Sequence, residues 1–257
     1  MSDLVSYEVI DGVALITIER PEVHNAMSVE VFDALGDHAR RAGEDATVGA
    51  VVVSGRGGSF SSGLDISALA GSGTLLDDTF IERLQSSFTA FEEIDKPTIA
   101  AIEGYCYGGG IQLAAACHLR AVSPTARLSV LERRWGLVPD LGGSWRLPRL
   151  VGLGRATELT LTARKVGAVE ALAIGLAEIS LPEQGAQEAA LEFARSLASG
   201  PGAVRRAPRL LRENFGKDRE SSLAREREAQ LACLSGPDVA EAIGAALEGR
   251  DPSFVGR

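Results

Sequence analysis

The sequence predicts an α/β protein. Strand-like and helix-like patterns alternate from the N-terminus to about Leu181, and only helical patterns follow Ala203. The sharpest signal lies mid-chain. The apolar run Pro97-Thr98-Ile99-Ala100-Ala101-Ile102 leads into the glycine-rich stretch Gly104-Tyr105-Cys106-Tyr107-Gly108-Gly109-Gly110, and then into Ile111-Gln112-Leu113-Ala114-Ala115-Ala116-Cys117. It reads as a buried strand, a tight turn and a helix opening at Gly109 or Gly110. Glycines at such a turn let backbone approach a ligand, and the first helical N–H groups have no intrahelical partner, so they can donate to a negative oxygen. Taken alone, a tightly packed strand-to-helix connection would look the same.

The other elements follow in order. Val5 to Ile10 and Val13 to Glu19 are β-rich runs joined by Asp11-Gly12, a strong hairpin signal. After the loop Arg20 to Met27, Ser28 is placed to cap a helix running to about Arg41, with Val31 and Leu35 on its apolar face. Ala50-Val51-Val52-Val53 reads as a strand buried on both faces, followed directly by the Gly/Ser-rich loop Ser54 to Ile66. In open α/β sheets, ligands gather at such strand ends. Residues 75–95 are predicted helical, with Phe80, Leu84, Phe88 and Phe91 on one face, until Lys96-Pro97 stops them. Strands are expected at Leu119 to Val122 and Ala126 to Val130. A second dense loop, Leu131 to Ser144, precedes helices at about 143–150, 155–162, 168–174 and 185–199. Beyond Ala203 the pattern is helical, punctuated by Pro201, Pro208 and Pro237, with Arg225-Glu226-Arg227-Glu228 on a solvated face. The predicted division is a core of residues 1–195 and a helical region of residues 196–257.

Composition narrows the function. The chain has 257 residues, of which 45% are hydrophobic, enough for a substantial core. A net charge of −9 argues against nucleic acid or an anionic membrane surface as partner. Three cysteines, Cys106, Cys117 and Cys233, show no paired spacing, which points to a reducing compartment without disulfides or a zinc or other metal site. No apolar stretch reaches the length of a membrane span, and the N-terminus has no basic-then-apolar leader pattern, so a soluble, cytoplasmic protein is expected.

Taken together, four motifs carry a resemblance. Ser59-Phe60-Ser61-Ser62-Gly63-Leu64-Asp65-Ile66 and the Gly104 to Ala114 stretch stand in order with Pro21-x-x-x-Asn25-Ala26-Met27 upstream and Gly136-Leu137-Val138-Pro139-Asp140-Leu141-Gly142-Gly143 downstream. The chain resembles the enoyl-CoA hydratase/isomerase (crotonase) family over nearly its whole length. The resemblance implies a spiral of ββα turns with a C-terminal helical region, assembly as homotrimers or homohexamers, and an acyl-CoA thioester substrate. Coenzyme A would be part of the substrate, with no separate cofactor. It further implies an enolate held by the backbone N–H groups of Ser62 and Gly109, and a CoA track along Val23, His24, Ala26 and the loop Ser62, Gly63, Leu64, Asp65 and Ile66. Arg20 and Arg56 are the basic residues nearest in sequence for its phosphates. His24 is expected to be a polar or packing contact and not a base.

The acids depart from the hydratase pattern. Hydratases of the family hold water between two glutamates, and the first of those positions is Gln112 here. An amide cannot accept and return a proton near neutral pH. The second position matches Glu132, and eight residues on stands Asp140, where isomerases of the family carry an acid. The expectation is therefore an enzyme that shifts a double bond in an enoyl-CoA, with Glu132 and Asp140 handling the proton and Gln112 beside them. Hydration by Glu132 with Gln112 positioning water is the alternative, and a non-catalytic acyl-CoA-binding protein is a further one. Glu132 next to Arg133 and Arg134 could instead be a surface ion pair, and Asp140 a turn residue, although Leu137, Val138 and Leu141 suggest an apolar pocket around them. Residues 67–80, with Ala68, Leu69, Gly71 and Gly73, are expected to form a mobile pocket wall. A dinucleotide-binding dehydrogenase lacks its G-x-G-x-x-G spacing here, and a serine hydrolase its G-x-S-x-G elbow.

Overall fold

The hairpin opens the structure as expected. In the computed structural model, which describes residues 4–67 and 77–256, β1 (Val5–Ile10) and β2 (Val13–Ile18) pair antiparallel around Asp11 and Gly12. Both turn residues have positive φ, 49° and 79°, the backbone a two-residue hairpin loop needs and an Asp-Gly pair tolerates. From there the sheet grows by parallel pairing: β2 with β3 (Ala50–Gly55), β3 with β4 (Thr98–Ile102), β4 with β6 (Leu119–Val122), and β6 with β9 (Ile179–Ser180). A second, three-stranded sheet is built from β5 (Tyr105–Tyr107), β7 (Arg127–Ser129) and β8 (Val166–Gly167).

The large sheet is buried on both faces, which is why its central strands read as continuous apolar runs and not as alternation. Ile16, Ile18, Val51, Val53, Ala100 and Ile102 point into one core shared with α1 (Val29–Glu44), α2 (Asp78–Glu93) and α3 (Gly109–Ala116). Val13, Leu15, Ala50, Val52, Ile99 and Ala101 point the other way, against Ala190, Leu191 and Ala194 of α7 (Ala186–Ala198). Leu84, Phe88 and Phe91 of α2 are buried, and the Phe88 ring stacks on Phe32 of α1 with centroids 5.0 Å apart.

Helices α4 (Gly143–Val151), α5 (Leu153–Thr162) and α6 (Ala168–Ala173) come between the second dense loop and β9. After α7 only helices occur among the described residues: α8 (Gly202–Asn214), α9 (Arg219–Leu234) and α10 (Pro237–Glu248). Leu211, Phe215, Leu231, Leu234, Ile243 and Leu247 on these three helices or at their ends are each more than half exposed.

Three local expectations are corrected. The Ser28 hydroxyl donates to Glu30 at 2.6 Å and makes no cap bond to the helix. Tyr105–Tyr107 is a strand and not only a turn, too short between its glycines to register as periodicity. Pro208 lies inside α8; it costs the helix one N–H donor but does not end it, so only Pro201 and Pro237 punctuate. The pocket wall expected around Ala68, Leu69, Gly71 and Gly73 lies outside the described residues.

Candidate active site

Two backbone segments meet at the start of α3. A Cβ on Gly110 would lie 2.6 Å from the Ser61 carbonyl oxygen, and one on Gly63 would lie 2.8 Å from the Tyr107 carbonyl oxygen and 3.3 Å from the Gly109 nitrogen. Only glycine fits at these two positions, so the loop after β3 and the turn before α3 can lie backbone against backbone. Gly108, with φ of +52°, supplies the reversal that starts the helix. Ser61 locks the pair: its N–H donates to the Tyr105 carbonyl and its carbonyl accepts from Tyr107 N–H, while its hydroxyl donates to the Asn25 carbonyl and accepts from Gly63 N–H.

The two expected donors differ in state. Gly109 N–H occupies the first helical position, where the helix itself offers no acceptor. Ser62 N–H donates to the His24 carbonyl at 2.9 Å. To serve a ligand oxygen as the resemblance implies, Ser62 N–H must share or leave that bond.

The expected CoA track is assembled from its two sequence-distant halves. Met27 N–H donates to Gly63 O, and Asp65 N–H to Met27 O, while the Ser62 hydroxyl donates to Val23 O. Val23 and His24 are exposed, Ala26 is buried, and Leu64, Asp65 and Ile66 are half-buried. The two cations nearest in sequence are already engaged. Arg20 pairs with Asp65 at 2.9 Å and donates to Ala26 O. Arg56 grips Glu19 with two bonds, which hold the Glu19 carboxyl below its usual range. Sequence reading missed what lies beside the track. The His24 ring meets Tyr105 edge-on at 5.1 Å, Tyr105 stacks on Tyr107 at 5.1 Å, and Lys165 stands 5.4 Å over Tyr107. It also missed the structural task of Asn25, fully buried, whose side chain takes Arg20 N–H and donates to Arg56 O and Ser59 O. The only signal for it was a polar residue in front of Ala26-Met27.

Gln112 and Glu132 form a buried hydrogen-bonded pair. Gln112, 1% exposed on α3, accepts through Oε1 from the backbone N–H groups of Leu141 and Gly143, both at 2.8 Å. Two N–H donors on one atom identify it as the oxygen, so Nε2 must face Glu132, to which it donates at 2.6 Å. Gly143 is glycine because a Cβ there would fall 2.6 Å from that Oε1. Glu132, in the short 3₁₀ turn Glu132–Trp135, is 7% exposed, and its second oxygen, Oε2, has no protein partner among the described residues. Burial pushes its carboxyl up, with a smaller push from Asp140, against the lowering effect of its backbone and Gln112 bonds. The surface-ion-pair reading is thereby corrected; Arg133 donates instead to the Leu161 carbonyl.

Asp140 is exposed at the lip of the same loop, and partial desolvation also raises its carboxyl. The apolar pocket expected from its neighbours is only partly present, since Leu141 is buried but Leu137 and Val138 are 54% and 72% exposed. Cys106 and Cys117 are buried with thiols raised by desolvation, so both stay protonated. Among the described residues no group of three or more His, Cys, Asp and Glu is placed to hold a metal, and no helix is long and apolar enough to cross a membrane.

A helix N-terminus, a facing backbone loop and one buried carboxylate can stabilise a developing oxyanion and move a proton beside it. Comparison with known proteins identifies the family. The family profile described as Enoyl-CoA hydratase/isomerase matches residues 8–257. The short-chain-enoyl-CoA hydratase of Clostridium acetobutylicum is 34% identical over 240 residues, 93% of this chain and 92% of that protein. The crystal structure of enoyl-CoA hydratase from Bacillus anthracis superposes with a TM-score of 0.94 at 30% identity, covering 99% of this chain and 100% of that one. That of Mycobacterium tuberculosis enoyl-CoA hydratase gives 0.88 at 29%, covering 99% of each. The chain has the crotonase fold with a helical C-terminal region, and it belongs to the enoyl-CoA hydratase/isomerase family.

Proposed function

We propose that this protein moves the double bond of an enoyl-CoA thioester, using Glu132 as the proton carrier. The observation that carries this reading is the Gln112–Glu132 pair: one buried carboxylate and one neutral amide whose oxygen is fully occupied. In the proposed reaction the Glu132 carboxylate removes an α-proton from a 3-enoyl thioester, and the electron pair moves into the thioester carbonyl as the C–H bond breaks. The resulting oxyanion is met by Gly109 N–H with the α3 dipole behind it, joined by Ser62 N–H when His24 O gives it up. One such donor typically lowers a barrier by about 3 kcal/mol. The proton then returns at the γ-carbon as the double bond re-forms between α and β. It comes from Glu132 itself, or through Asp140 at the lip. The raised carboxyl of Glu132 suits it to hold that proton between the two steps.

Hydration is the second reading, and its support is that the relatives and the solved structures named above are enoyl-CoA hydratases. For it, the Gln112 Nε2 hydrogen that is not given to Glu132 would hold water against Glu132 Oε2. Turnover of matched 2-enoyl- and 3-enoyl-CoA thioesters in D₂O separates the two. Conversion of the 3-enoyl isomer to the conjugated 2-enoyl product, faster than any addition of water, supports the first reading. Rapid addition to the 2-enoyl isomer without isomerisation overturns it, and thioester binding without turnover overturns both.

A further inference from the structure

The turn that orients Gln112 has a support of its own. Leu141 and Gly143 give their N–H groups to Gln112 Oε1, and the Leu141 carbonyl accepts from Arg146 Nη1 of α4 at 2.9 Å. A Cβ on Gly142 would fall 2.1 Å from that Nη1. The guanidinium therefore lies against the backbone of the turn, and only glycine, here with φ of +86°, leaves room for it.

Arg146 is anchored in turn by α2. Its Nε and Nη2 both reach Glu92 Oε2 at 2.8 Å, and Nη2 stands 3.4 Å from Thr89 Oγ1. Gln85 donates to the Asp140 carbonyl, the other end of the peptide group whose N–H is that of Leu141. Gln85, Thr89 and Glu92 are spaced i, i+4 and i+7, so they form one stripe of α2 facing the turn. Arg146 is 7% exposed and its charge is matched by Glu92, which makes a buried, paired network. Its link to Glu132 runs through the turn and Gln112.

An amide, unlike a carboxylate, has two different ends, and half a turn about its last bond exchanges Oε1 and Nε2. We propose that Arg146, with Gln85 and Glu92, is a positioning residue for the enoyl-CoA reaction: by holding residues 141–143 it aims two N–H groups at Gln112 Oε1 and so keeps Nε2 on Glu132. The inference rests on Glu132 as the proton carrier. With the turn free to shift, the amide is able to present its oxygen to Glu132 instead. The carboxylate then loses the side-chain donor that opposes the effects of burial and of Asp140, so it holds its proton to higher pH.

The test removes the ion pair as a unit, since two methionines leave no unpaired buried charge. Arg146→Met combined with Glu92→Met is expected to lower kcat on the enoyl-CoA substrate about tenfold or more, with KM changed by less than about twofold, and to move the acid limb of the kcat/KM profile to higher pH. Gln85→Leu leaves the ion pair intact and is expected to act in the same direction by about threefold, and it decides the matter should the double variant not fold. In a Gln112→Met background there is no amide to orient, so the same substitutions are expected to add less than about twofold, whereas a purely structural role would add its full effect. The inference is overturned if the folded double variant keeps the parent's kcat and pH profile, or if its loss adds fully to that of Gln112→Met. Glu132→Gln separates the two readings. Full turnover in it overturns the proton-carrier reading and this inference together; loss of turnover there, with undisturbed profiles in the Arg146 and Gln85 variants, overturns this inference alone.

Discussion

Changing Gln112 to glutamate replaces one NH₂ by one oxygen and leaves the rest of the side chain where it is. The two backbone donors from Leu141 and Gly143 remain satisfied, because a carboxylate oxygen accepts from them as well as an amide oxygen does. The change falls on the other side, where a donor 2.6 Å from Glu132 becomes an acceptor. Two carboxylates at that separation repel by about 6 kcal/mol at an effective dielectric constant of 20, falling to about 4 kcal/mol if they part to ~4 Å. Either figure is enough for the pair to retain one proton at neutral pH, titrating as a unit and not as two independent acids. A single proton on two carboxyls is the arrangement that adding water across a double bond requires: one group deprotonates the water and the other protonates the α-carbon. Gln112→Glu is therefore expected to raise the rate of hydration of a 2-enoyl-CoA relative to isomerisation of the 3-enoyl isomer by about tenfold or more. The assay follows the ultraviolet absorbance of the conjugated thioester and the product mass in parallel. If the ratio does not change while the parent already hydrates rapidly, Gln112 is not what decides the reaction, and the protein is a hydratase working with one glutamate.

Other outcomes follow from the same geometry. Glu132→Gln should lower turnover by about 10²-fold or more with thioester binding retained, as titration calorimetry can check. Because the folded pKa of Glu132 is raised, the fold disfavours its ionised form, so its contribution to stability is full below about pH 4 and is lost as pH rises through the folded value. Glu132→Gln should thus raise Tm at pH 7 to 8 and leave it unchanged near pH 4; a lower Tm at neutral pH contradicts the burial argument. Asp140→Asn, at an exposed position, should reduce isomerisation less than Glu132→Gln does, and an equal loss would make the two acids equal partners. Gly109→Pro deletes the helix-end donor at a position where proline suits the helix, so it should abolish turnover in a folded protein, while Gly109→Ala, whose Cβ meets the movable Met27 Cε at 3.0 Å, should keep a measurable rate. The exposed apolar side chains on α8, α9 and α10 are expected to be covered in a homotrimer or hexamer, so sedimentation at micromolar concentration should show no monomer.

What the sequence disclosed and what it withheld have separate physical causes. Strands β2, β3 and β4, the Asp11-Gly12 turn and most helices were legible because each is encoded locally, by a continuous apolar run, a turn dipeptide or a helical apolar stripe. The nearness of Ser62, Gly109, Gln112 and Glu132 is not local, and no periodicity reports it; it entered only through the resemblance carried by four spaced motifs. Misreadings arose where a residue had more than one partner to choose from. Arg20 and Arg56 looked available for phosphate because sequence shows a charge but not the Asp65 and Glu19 that occupy them. Leu137 and Val138 looked like pocket walls because hydropathy is silent on which side of a loop faces the protein.

Gln112 shows most clearly how composition becomes mechanism only through geometry. As a letter, glutamine in place of a glutamate says that a base is missing, and no more. Folded, its amide is oriented by two backbone donors that fix the oxygen toward Leu141 and Gly143, so that the nitrogen faces the carboxylates, Glu132 at 2.6 Å and Asp140 beyond it. That forced orientation makes Glu132 an acceptor of a hydrogen bond from a neutral group and spares it a second charge, leaving burial as the main influence on its protonation. The Cβ-less Gly143 keeps the amide from being pushed aside, and Gly108, whose φ of +52° starts α3, lies beside Glu132, its Cβ position 3.8 Å from Oε1. In the proposed reaction the proton acceptor and the oxyanion donor thus depend on two glycines and one amide, a set that a scan for acidic residues alone would pass over.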